Sequence, residues 1–127
     1  MTHSVSGQLS QSDINYRAGI DLAKKLAAQG EYDVARLLCE RILRDNPESS
    51  EPYFIIGNTY AWEGRFDKAR LFYYRVFEFE NANMDAFIQL ISLELWDGDA
   101  QGAIELANTA LKNNPLETTV LLQKAKA

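Results

Sequence analysis

One cysteine and one histidine in 127 residues exclude a good deal. Cys39 has no intramolecular partner, so it forms no internal disulfide and says nothing about the redox compartment. His3, the sole histidine, lies in a polar opening stretch expected to fray. No His/Cys group has the spacing of zinc ligands. The seven glycines are scattered, so there is no Gly-rich phosphate loop. Acids are plentiful, but no nucleophile or base is concentrated near them, and neither an enzyme nor a cofactor is expected. No apolar run reaches the roughly 18 residues of a membrane-spanning helix, so this segment is not expected to insert directly. Basic residues are in the minority, 13 Lys plus Arg against 18 Asp plus Glu, for a net charge of −5. That balance disfavours nucleic acid as a partner, because affinity for phosphate needs clustered positive charge.

What is present is an ordinary globular balance, 46% hydrophobic and 24% charged, at the length of one domain. Such a chain can build a core without a crosslink or a metal. Self-similarity then sets its organisation. Gly30, Gly64 and Gly98 lie 34 residues apart, as do Ala35, Ala69 and Ala103. Pro47 and Pro115 are two periods apart, with Asn81 between them; Tyr32 matches Phe66, and Trp62 matches Trp96. Several residue types sharing one period give repeats at 16–49, 50–83 and 84–117, a terminal helix at 118–127, and a flexible leader at 1–11 before a single domain at 12–127.

Each unit reads as two helices. In the second, Pro52 suits a first helical turn, and Phe54, Ile55, Tyr60 and Ala61 recur at helical spacing up to Gly64. A glycine there admits the left-handed conformation of a helix C-terminus. Asp67 is expected to cap the next helix, carrying Ala69, Phe72, Tyr73, Val76 and Phe77, which Asn81 and Asn83 end. Ala35, Ala69, Ala103 and Gly57 are small where helix axes must approach to about 8–10 Å. Tyr73, Tyr74, Phe77 and Phe79 read mainly as packing, with Tyr74 and Phe79 candidates for an outward aspect. No period-2 alternation occurs, so the expected class is all-α, a solenoid of helical hairpins. The terminal helix is expected to cap the stack with Val120, Leu121 and Leu122 on its apolar face.

These features resemble the tetratricopeptide repeat: the 34-residue period, the glycine turn, the alanine five residues after it, the closing proline, and the run Tyr53–Tyr60 with its aromatic, aliphatic, glycine and tyrosine positions. Glu94, where an aromatic is usual, and Gly19 and Ala23 in the first repeat depart from the pattern. More narrowly, Gly57-Asn58-Thr59-Tyr60-Ala61-Trp62-Glu63-Gly64-Arg65-Phe66-Asp67, Asp85–Leu90 with Leu93–Gly98, and the tail Leu121–Ala127 resemble the repeat module of YaiO-type outer-membrane proteins. That resemblance implies a periplasmic segment attached to a downstream β-barrel, absent here since no period-2 strands occur. A free cytoplasmic adaptor is the alternative.

The broader resemblance implies a right-handed superhelix whose first helices line a concave groove that binds a protein or peptide. Carried over position by position, the groove residues are Arg17, Ile20, Lys24, Ala27 and Ala28; Glu51, Phe54, Asn58, Ala61 and Trp62; and Asp85, Ile88, Ser92, Leu95 and Trp96. Asn58 is a candidate hydrogen-bonder of a peptide backbone. Trp62 and Trp96 admit two readings, packing between neighbouring hairpins or contact with a ligand, and a glycan or other small ligand is a further alternative. The family's clamp for a C-terminal carboxylate is not expected. Lys24 holds one of its positions, but Ile55, Asp85 and Gln89 stand where basic residues belong.

The other constellations read as structural. Asp97, Asp99, Gln101 and Gly102 imitate the start of a calcium loop, but Asn108 falls where the bidentate Glu is needed. Cys39 sits at a small-residue position and is expected to be a buried, inert thiol. Arg36, Arg41 and Arg44 cluster on one helix, while Glu78, Glu80 and Asp85 gather near the next boundary.

Overall fold

A computed structural model of the chain describes residues 10–127. Among them are seven helices and no strand: α1 (Gln11–Ala28), α2 (Tyr32–Asp45), α3 (Ser50–Trp62), α4 (Phe66–Val76), α5 (Met84–Trp96), α6 (Ala100–Asn113) and α7 (Thr118–Lys126). The leader expected at 1–11 falls largely on residues outside those described. Its last residue, Gln11, already belongs to α1. Ser10 caps that helix: its Oγ accepts from the Asp13 N–H at 3.1 Å, and the Asp13 carboxylate accepts from the Ser10 N–H at 3.4 Å.

The hairpins α1/α2, α3/α4 and α5/α6 stack in series. The same device closes the first helix of each. Gly30, Gly64 and Gly98 have φ of 83°, 78° and 81°. The next residue's N–H then turns back to a carbonyl of the last turn, Glu31 to Leu26, Arg65 to Tyr60 and Asp99 to Glu94, at 2.8–2.9 Å.

Two expected helix boundaries change. Asp67 is not a cap but lies in the first turn of α4, where its carboxylate accepts from Arg70 at 2.9 Å. Helix α4 stops at Val76, well before Asn81. Asn83 instead starts α5, its side chain accepting from the Ala86 N–H at 2.9 Å. With no proline at position 81, a run of turns from Phe77 to Asn83 makes the link.

The core is one elongated seam. Ile20, Ala23, Ala35, Cys39, Ile55 and Ile56 join the first two repeats. Ala61, Ala69, Tyr73, Leu90 and Leu93 join the second and third. Phe87, Ile91, Ala103, Ala107 and Val120 continue it into α7. Ala35, Ala69 and Ala103 are wholly buried, as their spacing requires. Helix α7 does pack on the third repeat, but not on the expected face. Val120 is buried, whereas Leu121 and Leu122 are exposed and Gln123 is buried in their stead. The reason is polar: the Gln123 amide N–H donates to the Ile88 carbonyl (3.0 Å) and Ser92 Oγ (2.9 Å) and turns that side of the helix onto α5. Phe79 is likewise not outward-facing, since its ring stacks on Tyr53 at 5.8 Å.

Candidate functional site

Three successive repeats contribute to one hollow of about 230 Å³. Lys24 comes from α1, Ser50, Glu51, Phe54 and Ile55 from α3, Glu80 and Asn83 from the link after α4, and Asp85 from the start of α5. Four of these, Lys24, Glu51, Phe54 and Asp85, are residues the sequence assigned to the groove. The hollow has an apolar wall and a charged rim. Phe54 is partly exposed, with its ring 5.7 Å from that of Tyr73. A larger depression of about 430 Å³ lies at Asp13, Tyr16 and the α2–α3 turn, and no expected groove residue lines it.

The rim charges differ in how they are satisfied. The Glu51 carboxylate accepts from Arg17 Nη2 at 2.8 Å, Arg17 Nη1 at 3.2 Å and the Tyr16 hydroxyl at 3.0 Å, with Lys24 Nζ at 3.9 Å. Burial alone would raise its pKa. The hydrogen bonds from Arg17 and Tyr16 and the charges of Arg17 and Lys24 together outweigh burial and hold the carboxyl below the usual range. Among the described residues Glu80 has only neutral donors, the Ser50 hydroxyl and the Asn83 amide (3.0 Å). Asp85 is exposed and forms no ion pair among the described residues.

The remaining expected groove residues separate into three groups. Ile20 does not belong to a binding face: it is wholly buried in the cluster that also holds Ala35, Cys39 and Ile42 of α2 and Ile55 and Ile56 of α3. Ala27 and Ala61 are buried too, while Ala28 is exposed. Asn58 stands between core and surface. Its Oδ1 accepts from the Tyr73 hydroxyl at 2.6 Å, which leaves the amide N–H groups without a partner among the described residues. Ile88 and Ser92 are half-buried beneath Gln123 of α7, and Leu95 is half-buried nearby.

Trp62 and Trp96 pack between neighbouring hairpins, as the first reading expects, and keep part of their surface exposed. Each stacks on the turn aromatic of the preceding repeat, Tyr32–Trp62 at 6.2 Å and Phe66–Trp96 at 6.0 Å. Each nonetheless remains 52% and 62% exposed, respectively. The indoles are therefore inter-repeat packing with a free face.

Asp97 and Asp99 have other employment than a calcium loop. Asp97 accepts from Arg70, and Asp99 caps α6 through the Gly102 N–H at 2.9 Å. Burial pushes the Cys39 thiol up to about 12, as an inert thiol requires. The sequence missed Ser50, Glu80 and Asn83 as lining residues, and named Ile55 only as a clamp position lacking its basic residue. The only signal was the gathering of acids around Glu80 and Asp85, which spacing alone does not place around a cavity.

No protein-family model matches the chain, and no curated protein matches it. Solved structures do. The Yersinia enterocolitica type III secretion chaperone SycD, in complex with a peptide of the translocator YopD, superposes with a TM-score of 0.75 at 17% identity, over 87% of this chain and 90% of that one. A mutant of the Thermobaculum terrenum O-GlcNAc transferase gives 0.71 at 17% identity, over 87% of this chain and 21% of that one. A MamA mutant gives 0.65 at 23% identity, over 92% of this chain and 68% of that one. At these identities the likeness concerns architecture alone. The serial hairpins, the three glycine closures and these superpositions together make the fold of this chain a tetratricopeptide-type helical superhelix.

Proposed function

We propose that the chain is a non-enzymatic scaffold that binds a peptide or protein segment along its first-helix face. One observation carries this reading: Lys24, Glu51, Phe54 and Asp85, from three repeats, converge on one hollow with a partly exposed aromatic wall. Concave sites with an apolar wall and a few polar groups are where ligands bind. Asn58, anchored by Tyr73, supplies free amide donors beside it. The SycD structure holds a peptide in a similar architecture, which supports the reading by analogy.

The test is selection of displayed random dodecapeptides on the immobilised chain. Enriched peptides are expected to lose at least tenfold in affinity to a folded Phe54→Ser/Asn58→Ala variant. They should bind a Leu37→Ala/Leu71→Ala variant, altered on the exposed second helices, unchanged. A pool indifferent to the first variant rejects the groove.

The free faces of Trp62 and Trp96 favour a second reading, a glycan or flat small ligand stacked on the indoles. A tryptophan emission shift with saccharides and none with the selected peptides would establish it in place of the first. We further propose a periplasmic setting, as the soluble module of an outer-membrane-associated protein. Support comes from the likeness of the Gly57–Asp67 and Asp85–Gly98 strings to such modules. Fractionation of the native gene product decides between this and a free cytoplasmic adaptor.

A further inference from the structure

We infer that the hollow formed by the three repeats takes one cationic side chain, arginine or lysine, of the bound peptide. This inference rests on the groove reading and names what the groove selects. The volume, about 230 Å³, suits one long side chain. The walls suit the two halves of such a residue. Phe54, partly exposed over the buried Ile55, offers apolar surface to its methylene stem, and carboxylates offer the rim to its charged head.

Charge accounting then decides the sign. The rim carries three carboxylates, Glu51, Glu80 and Asp85, and one ammonium, Lys24. Glu51 is already neutralised by Arg17 and Lys24. Among the described residues Glu80 has only the neutral Ser50 and Asn83 as donors, and a carboxylate has acceptor sites beyond two. Asp85 has no cationic partner among the described residues. Two carboxylates thus remain without a cationic partner among the described residues. An acidic ligand side chain there would meet both at close range, and an apolar one would leave both unpaired. A guanidinium or ammonium supplies the missing donors in charge-assisted form.

The peptides selected above provide the probe. Aligned groove-dependent sequences should show one position dominated by Arg or Lys. Replacing that residue by norleucine in a synthetic peptide should weaken binding about tenfold or more in fluorescence polarisation at 0.15 M salt, the size of a charge-assisted bond. The Glu80→Gln/Asp85→Asn variant should bind the cationic peptide equally poorly while keeping its affinity for the norleucine form. Asp85→Lys, at an exposed first-turn site, should turn the selected position from basic to acidic in a fresh selection. A groove-dependent pool with no basic position, or a basic position indifferent to Glu80 and Asp85, overturns this inference and leaves the groove standing. A pool with no groove dependence overturns both.

Discussion

A methyl group added at Gly57 would lie 2.6 Å from the ring of Tyr73, which is itself wholly buried and has nowhere to go. In the third repeat the sizes are exchanged: Ile91 and Ala107 occupy the same two positions, both fully buried. One large and one small partner fill that space, so volume is specified pairwise. Gly57→Ala gains about 1 kcal/mol of helix propensity but overpacks the core, which typically costs about 1–3 kcal/mol. The expected result is a net loss of stability in urea denaturation, and the double variant Gly57→Ala/Tyr73→Leu should lose less than the sum of its parts. Full stability in Gly57→Ala alone would show that the ring yields. Cys39 makes a second residue-scale prediction. Buried, and with its thiol pushed up to about 12, it should resist an aromatic disulfide reagent at pH 8 in the native state and react at once in denaturant. Immediate stoichiometric labelling of the folded chain would contradict its burial.

Neighbouring hairpins are stapled by an arginine motif that recurs at the 34-residue period, Asp33/Asp67, Arg36/Arg70 and Glu63/Asp97. Arg36 reaches from α2 to Thr59 (3.0 Å) and Glu63 (3.1 Å) on and beside α3 while holding Asp33, with its guanidinium 4.3 Å from the centre of the Tyr60 ring. One period later Arg70 reaches from α4 to Glu94 (2.7 Å) and Asp97 while holding Asp67. Tyr60 and Glu94 are therefore alternative solutions to one problem, the seating of an arginine from the preceding repeat. This explains why Glu94 departs from the aromatic pattern. Arg70→Ala leaves the largely buried Glu94 unpaired and should cost about 2 kcal/mol, less than for a fully buried pair because Arg70 and Asp97 keep some solvent. Glu94→Tyr should cost less than about 1 kcal/mol, since a cation–π contact replaces the ion pair. Thermal denaturation of the two variants checks the ranking, and equal losses would refute it. The same comparison marks what the sequence made legible. The glycine turns, the buried alanines and Pro52 act within one hairpin, so local spacing exposes them. Glu94 and Gln123 take their roles from partners in another helix, Arg70 and the Ile88/Ser92 pair, whereas Asp67 and Asn83 bond within three residues but at boundaries the spacing misplaces. Their identities therefore suggested caps, helix ends or departures rather than the bonds they make. The groove assignment divides in the same way. Lys24, Glu51, Phe54 and Asp85 converge as carried over. Ile20 instead lies in the core with residues of α2 and α3, contacts that position within the repeat does not reveal.

At the scale of the whole molecule, a stack whose repeats touch only their neighbours gains stability interface by interface and loses it from the ends. The junction between the first two repeats carries a charged clasp, in which Arg17 and Tyr16 of α1 bind Glu51 of α3. Although burial opposes ionisation, the clasp and Lys24 keep the Glu51 carboxyl below its usual range in the folded chain. A depressed carboxyl stabilises the fold fully above its unfolded pKa, about 4.5, and loses that contribution as pH falls through the lower folded value. Raising the pH from neutrality changes nothing at the Glu51 carboxyl, which is already ionised. Wild type should therefore exceed Glu51→Gln in urea midpoint at pH 7, with the gap closing below about pH 4.5. Because the clasp is partly exposed, added salt should narrow the gap at pH 7 as well. The loss should also be directional. Amide exchange at acid pH is expected to accelerate first in α1, the end hairpin that the clasp fastens, while α5 and α6 keep their protection through the apolar seam to Val120. Uniform acceleration along all seven helices would mean that the stack opens as a single unit and that its interfaces are not separable.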